Sequence, residues 1–164
     1  MSAHLARRQP DLHRDVSARG RESAPLVLVA EDHEDTRFML RMILERCGLS
    51  VVEAGDGEEA VRLAERETPD LILMDGSLPR LDGISATRRM RGLESLAFVP
   101  IVFLSGHAGP QQQLAAREAG CDDYLVKPFE IEQLYRVLEH LLPAGRRERA
   151  AGSSDGRKPD GIRL

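Results

Sequence analysis

Acidic, hydroxyl and basic side chains stand at the ends of four short apolar segments in this 164-residue chain. Glu31 and Asp32 follow the first segment, Asp75 ends a later one, and Ser105 and Lys127 follow two more. Three carboxylates close together repel one another unless a cation joins them. Carboxylate oxygens in this number favour Mg²⁺, with Ca²⁺ as the alternative. Zinc is disfavoured, because no His or Cys joins the acidic residues at ligand spacing.

Lys127 is unusual among the basic residues of the chain. The sequence contains 21 Arg and two Lys, and Lys127 is the one Lys between residues 26 and 142. A Lys in so Arg-rich a composition indicates a site that needs the compact, mobile ammonium group of Lys rather than the rigid, planar guanidinium group of Arg. Mg²⁺ also takes phosphate oxygens as ligands. The acidic residues alone would repel phosphate, so the charge count predicts that phosphate chemistry at this site would depend on a metal.

Alternating apolar runs and helical patterns predict the elements that position these residues. The runs typical of buried strands are Leu26–Ala30, Val51–Val52, Leu71–Met74, Ile101–Leu104 and Tyr124–Val126. The helical patterns cover 35–47, 57–67, 83–92, 111–119 and 130–142. This alternation predicts an α/β fold, a doubly wound, flavodoxin-like five-stranded parallel sheet with helices on both faces. Ligands of such sheets bind beyond the carboxyl ends of the strands, where the candidate residues stand.

Helical periodicity also assigns faces to the predicted helices. The apolar face of 35–47 carries Phe38, Met39, Met42 and Ile43. Its charged face carries Arg37, Arg41 and Glu45. His33 could approach a metal bound by its acidic neighbours, but we interpret it as a solvated loop residue. The arginine cluster of the third helix, Arg88, Arg89 and Arg91, is typical of a solvated helix face.

Charge is distributed unevenly along the chain, whose net charge is −4. Residues 1–25 carry +2, residues 26–142 carry −9 and residues 143–164 carry +3. The acidic middle argues against direct DNA binding by that part. The polar, aperiodic ends predict disordered tails at 1–25 and 143–164 around one domain at 26–142.

Three absences in the sequence predict a cytoplasmic protein. No apolar run approaches the roughly 20 residues of a membrane-spanning helix. The first 30 residues lack the apolar stretch of a secretory signal. The two cysteines, Cys47 and Cys121, are too few for a disulfide framework.

Four stretches of the chain resemble the motifs of bacterial two-component receiver domains: LVLVAED, LILMDGSLPRLDG, IVFLSG and GCDDYLVKPF. Their spacing is similar too, with 43 residues from Asp32 to Asp75, 30 from Asp75 to Ser105 and 22 from Ser105 to Lys127. The resemblance covers about residues 26–142. It implies a stand-alone response regulator, similar to the chemotaxis regulators, without an output domain.

The resemblance implies a role for each residue of the acidic site. Asp75 would accept the phosphoryl group as a carboxylate nucleophile. Glu31, Asp32 and Asp75 would bind Mg²⁺, with the backbone carbonyl of Ser77 as a further ligand. Lys127 would pair with Asp75 before phosphorylation and with the phosphate afterward.

A second group of residues would report phosphorylation, if the resemblance holds. Ser105 would hydrogen-bond a phosphoryl oxygen, and Tyr124 would rotate with the state of Ser105. The Lys127–Pro128 peptide bond would be cis. The surface built from about 111–142 would bind an unidentified downstream protein.

The expected phosphoryl donor is a sensor histidine kinase or a histidine phosphotransfer protein. The chain would be a monomer or a phosphorylation-dependent homodimer, without membrane contact. It would be a switch rather than an enzyme, although it would assist its own phosphorylation and dephosphorylation.

Three alternatives remain at this level. An unphosphorylated receiver used as a scaffold would be favoured by loss of Asp75 or Lys127, and both are present. A magnesium-dependent phosphatase of the haloacid-dehalogenase kind would want a second Asp two residues after the nucleophile, where Ser77 stands. A flavodoxin-type flavin module would want a Ser/Thr/Gly-rich loop after the first strand, where the sequence is EDHED.

Overall fold

A parallel β-sheet organises residues 24–106 and 109–142, the part of the chain that the computed structural model describes. Its strands are β1 (Leu26–Ala30), β2 (Ser50–Ala54), β3 (Leu71–Asp75), β4 (Ile101–Ser105) and β5 (Asp123–Val126). They lie in the order β2-β1-β3-β4-β5, and every neighbouring pair is parallel. The predicted five-stranded parallel sheet is confirmed.

Helices connect consecutive strands and cover both faces of the sheet. They are α1 (Glu34–Arg46), α2 (Gly57–Glu67), α3 (Gly83–Arg91), α4 (Pro110–Ala119) and α5 (Ile131–Leu141), with a short 3₁₀ turn at Glu94–Leu96. Helices α1 and α5 pack on one face, and α2, α3 and α4 pack on the other. Within the described residues, no helix combines the length and the apolar character needed to cross a bilayer.

Alternating side chains of the strands form two aliphatic cores. Leu28 and Ile72 point to the face covered by α2, α3 and α4. Val29 and Leu73 point to the face covered by α1 and α5. Both faces are buried, which explains why the strands are apolar at successive positions rather than alternating with polar residues.

The apolar face predicted for α1 is only in part the face that packs on the sheet. Leu40 and Leu44 are fully buried there and Ile43 is partly buried against the same core, whereas Phe38, Met39 and Met42 are 52%, 48% and 42% exposed. Two apolar stripes run along this helix, and periodicity alone does not tell which one the sheet covers.

The interpretation of Arg91 as a solvated residue is wrong. Its side chain is 19% exposed. It donates to the backbone carbonyls of Gly120, Leu96 and Val99 at 2.8–2.9 Å, and it pairs with the Asp122 carboxylate at 2.9 Å. Arg91 therefore joins α3 to the loops that precede β4 and β5.

Replacing Arg91 with methionine is expected to lower the free energy of unfolding by about 2 kcal/mol, because three partly buried carbonyls lose their donor. Urea denaturation followed by circular dichroism measures this change. Arg89→Met is the matched control on the same helix, since its ion pair with Glu58 is exposed and is worth about 0.5 kcal/mol. Equal losses in the two variants would contradict the role given to Arg91.

The predicted tails fall almost wholly outside the described residues, which leave out 1–23 and 143–164. Their disorder therefore stays a prediction. Pro25, which belongs to the predicted N-terminal tail, is an exception. Its carbonyl accepts a hydrogen bond of 2.9 Å from the Ser50 N–H at the start of β2.

Candidate functional site

The carboxyl ends of four strands bring the candidate residues to one rim of the sheet. Glu31 directly follows β1, and Asp75 is the last residue of β3. Ser105 ends β4 and pairs in register with Val126, the residue before Lys127. Because the strands are parallel and in register, these ends meet at the same edge.

Lys127 links three strand ends through its ammonium group. Its Nζ lies 2.5 Å from Oε2 of Glu31 and 3.5 Å from Oδ1 of Asp75. Glu31 is fully buried and Asp75 is 5% exposed. The shorter contact is with Glu31, whereas the resemblance implied a pairing with Asp75. The ammonium thus lies beside two buried carboxylates at once and offsets part of their charge. The Lys127–Pro128 peptide bond that follows is cis.

Asp32 and His33 extend the acidic cluster toward solvent. Ligand atoms of Glu31, Asp32 and His33 all lie within 4.8 Å of one another. Nδ1 of His33 lies 3.1 Å from Oδ1 of Asp32. The hydrogen bond with Asp32 and the negative charges of Asp32 and Glu31 raise the pKa of His33 above its usual value. The expectation that no His joins the acidic residues is therefore wrong, although this single exposed imidazole does not make a zinc site.

The start of α3 packs directly against the backbone of Asp75. The N–H of Gly83 donates to the carbonyl of Gly76 at 3.2 Å. A Cβ on Gly83 would lie 2.2 Å from the carbonyl oxygen of Asp75, so a glycine is required there. Sequence reasoning did not assign Gly83 a role, although a glycine at a helix start after the capping Asp82 is a signal of close backbone approach.

Ser77 lies in the loop between β3 and α3. Its backbone N–H donates to Oδ1 of Asp75 at 3.3 Å. This contact helps to orient the Asp75 carboxylate. Residue 77 is thus part of the rim, two positions after Asp75.

Ser105 and Tyr124 stand on the neighbouring strands β4 and β5. Ser105 is 7% exposed, and its Oγ would lie 3.6 Å from a Cβ built on Gly76. Its hydroxyl is therefore beside the end of β3. The ring of Tyr124 stacks on Phe103 with centroids 6.0 Å apart and an angle of 18° between the planes.

The donor set at this rim fits a hard divalent cation. Glu31, Asp32 and Asp75 contribute three carboxylates, which one ammonium, that of Lys127, only partly balances. Carboxylate oxygens are ligands that Mg²⁺ prefers, and of these three residues Asp32 is the one exposed to solvent. The excess negative charge favours binding of a divalent cation and disfavours binding of free phosphate.

Comparisons with curated proteins agree on one family. The chain is 40% identical over 129 residues to the alkaline phosphatase synthesis transcriptional regulatory protein PhoP of Bacillus subtilis, covering 79% of this chain and 52% of that protein. It is 44% identical over 114 residues to the transcriptional regulatory protein PdtaR of Mycobacterium tuberculosis, covering 69% and 54%. The chain thus spans about half the length of the curated relatives it matches.

Solved structures show the same fold. The receiver domain of sensor histidine kinase PA1611 from Pseudomonas aeruginosa, solved with a magnesium ion coordinated in its active-site cleft, is 39% identical with a TM-score of 0.69. The match covers 73% of this chain and 98% of that one. The chemotaxis protein CheY4 of Vibrio cholerae is 29% identical with a TM-score of 0.70, covering 73% and 100%.

The family profile described as the response regulator receiver domain matches residues 27–139. Of the strands and helices, this range leaves out only the first residue of β1 and the last two residues of α5, and it includes the whole rim described above. The resemblance found in the sequence motifs is thereby confirmed. The chain belongs to the family of two-component response regulator receiver domains.

Proposed function

We propose that Asp75 accepts a phosphoryl group from a sensor histidine kinase or a histidine phosphotransfer protein, in a reaction that depends on Mg²⁺. The observation that carries this proposal is the position of the Lys127 ammonium between Glu31 and Asp75, 2.5 and 3.5 Å away. The Asp75 carboxylate, which is the proposed nucleophile, therefore lies beside an ammonium group that can move with the phosphoryl group. The magnesium ion in the PA1611 receiver supports the choice of metal.

The residues of the rim divide the chemistry between them. A carboxylate oxygen of Asp75 forms a bond to phosphorus while the P–N bond of the donor phosphohistidine breaks and the imidazole leaves. Glu31 and Asp32 would hold Mg²⁺, which when bound neutralises phosphoryl oxygens. Lys127 supplies positive charge from the side of β5, and its flexible stem lets the ammonium move from carboxylate to phosphate.

Phosphorylation of Asp75 would change the neighbouring residues on β4 and β5. The Ser105 hydroxyl, beside the end of β3, would hydrogen-bond a phosphoryl oxygen on Asp75. Tyr124 follows on β5, stacked on Phe103, and would change orientation with Ser105. The surface of 111–142 would then bind a protein target, or a second copy of the chain, with altered affinity. Exposed apolar side chains on that surface are Leu114, Ile131 and Tyr135.

This proposal describes a switch and not an enzyme with turnover on outside substrates. The phosphatase alternative lacks a second carboxylate at position 77. The scaffold alternative would leave the buried acids and Lys127 without a chemical role. Action without an output domain stays a prediction, since the curated relatives are about twice as long as the matched part.

Incubation with acetyl phosphate, with either Mg²⁺ or a chelator, tests the proposal. We expect intact-mass spectrometry to show a gain of one phosphoryl group with Mg²⁺ and no gain with the chelator. Absence of modification at millimolar donor and metal would contradict the proposal and favour the scaffold. Sustained hydrolysis of unrelated phosphate esters would contradict it in favour of the phosphatase.

A further inference from the structure

The Arg37 side chain contacts two consecutive carbonyls of the loop between β1 and α1, the loop that carries Glu31 and Asp32. Its Nη1 donates to the carbonyl of Glu31 at 2.7 Å and lies 3.4 Å from that of Asp32. The backbone N–H of Arg37 also donates to the carbonyl of His33 at 2.9 Å, but any residue at this position of the helix makes that bond. The guanidinium of Arg37 thereby holds the backbone of the two proposed metal ligands in this loop.

The guanidinium of Arg37 is itself held in place from β2. Its Nε lies 3.4 Å from Oε1 of Glu53, and the Arg37 side chain is only 20% exposed. A Cβ on Gly55 would lie 3.7 Å from Nη1 of Arg37, so the guanidinium crosses beside a glycine at the end of β2. Arg37 thus connects the acidic loop to the neighbouring strand.

From this geometry we infer that Arg37 is a positioning residue for the divalent cation. Its described side-chain contacts are with backbone carbonyls and Glu53, and they fix the backbone from which the Glu31 and Asp32 carboxylates project. Residues that orient metal ligands commonly change metal affinity roughly 10- to 100-fold when they are replaced. The inference rests on the proposed function, because it assumes that Glu31 and Asp32 hold Mg²⁺.

Charge and positioning predict opposite results for loss of Arg37. Removing a positive charge near the site would by Coulomb attraction alone strengthen binding of Mg²⁺. Loss of the guanidinium contacts with the carbonyls of Glu31 and Asp32 would let the loop relax and weaken binding. The direction of the change therefore separates the two effects.

Arg41 offers a matched control on the same helix. It lies one turn after Arg37 and its Nη1 pairs with the same Glu53, at 3.5 Å from Oε2. Its described contacts, with Glu53 and with the ring of Phe38, do not reach the acidic loop. Replacement of either arginine by glutamine changes the charge of this face equally.

The test is isothermal titration of the full chain with Mg²⁺, for wild type, Arg37→Gln, Arg37→Lys and Arg41→Gln. We expect about 10-fold or more weaker binding in Arg37→Gln, a smaller loss in Arg37→Lys, and wild-type affinity or slightly tighter binding in Arg41→Gln. The lysine variant keeps the charge, so its loss reports geometry. Thermal unfolding in chelator, followed by circular dichroism, checks that each variant is folded.

Two results would overturn the inference alone. One is Mg²⁺ binding by Arg37→Gln that equals or exceeds that of wild type. The other is an equal loss in Arg37→Gln and Arg41→Gln, which would assign the effect to Glu53. Failure of the wild-type protein to bind Mg²⁺ would instead overturn the proposed function, and this inference with it.

Discussion

Replacing Asp75 with asparagine is expected to abolish phosphorylation by acetyl phosphate and by a phosphohistidine donor. The amide keeps the size of the side chain but loses the anionic oxygen that attacks phosphorus. Intact-mass spectrometry in the presence of Mg²⁺ should show one added phosphoryl group in the wild type and none in the variant. The expected effect is complete, because neither other carboxylate of the rim has the same environment: Glu31 is fully buried against Lys127, and Asp32 is exposed and paired with His33.

Asp35→Asn is the control for Asp75→Asn. Asp35 lies in the first turn of α1, close in sequence to the acidic cluster, and it is exposed. Its replacement removes one negative charge near the rim without touching the proposed acceptor. Phosphorylation near the wild-type level is expected there. Phosphorylation of the Asp75→Asn variant would contradict the assignment of Asp75 as the acceptor.

Replacing Lys127 with methionine is expected to destabilise the metal-free protein by about 3 kcal/mol. Methionine keeps the apolar stem but leaves fully buried Glu31 without its ion-pair partner. Breaking a buried pair typically costs about 3–5 kcal/mol, and the low end applies because the Lys127 side chain is 25% exposed. Mg²⁺ should restore part of this loss, since it binds the folded acidic site and not the unfolded chain.

Urea denaturation in chelator and in excess Mg²⁺ measures both parts of the Lys127 prediction. Arg66→Met is a suitable control, because Arg66 is 70% exposed in its ion pair with Glu67 and such pairs contribute about 0.2–1 kcal/mol. We expect Mg²⁺ to stabilise Lys127→Met more than it stabilises wild type or Arg66→Met. A methionine variant as stable as wild type in chelator would contradict the view that Lys127 neutralises Glu31.

The sheet is the feature that the sequence predicts most completely. All five residues of β3, Leu71–Asp75, are buried, and an apolar run of that length between two helical patterns leaves few alternatives to a central parallel strand. Parallel register then brings the strand ends to one rim. The positions of Glu31, Asp32, Asp75 and Lys127 at that rim follow from the sheet, while their chemical roles stay predictions until they are tested.

Contacts of long side chains could not be predicted in the same way. Arg91 reaches Gly120, 29 residues further along the chain, and such a contact depends on how α3 lies against the α4–β5 connection. Arg37 looked like part of a charged helix face, yet its guanidinium turns back toward the carbonyls before α1. Periodicity reports the direction of a Cβ, whereas a guanidinium several bonds away is positioned by its tertiary surroundings.

The face of α1 illustrates a second limit. Leu40 and Leu44 form one apolar stripe, and Phe38 and Met42 form another. Choosing between them requires knowing how the helix is oriented where it crosses the sheet. The residue pattern of a single helix does not contain that information. The exposed stripe remains as an apolar feature of the surface.

Chemical mapping of the phosphorylated residue tests the central claim most directly. Borohydride reduces an aspartyl phosphate to homoserine, and peptide sequencing by mass spectrometry then identifies the position. The account predicts homoserine at position 75 in samples that received both a phosphoryl donor and Mg²⁺, and unmodified Asp75 in samples treated with chelator. Homoserine at Asp32 or at another position would contradict the account. Conversion of Asp75 to homoserine in samples without metal would contradict it too.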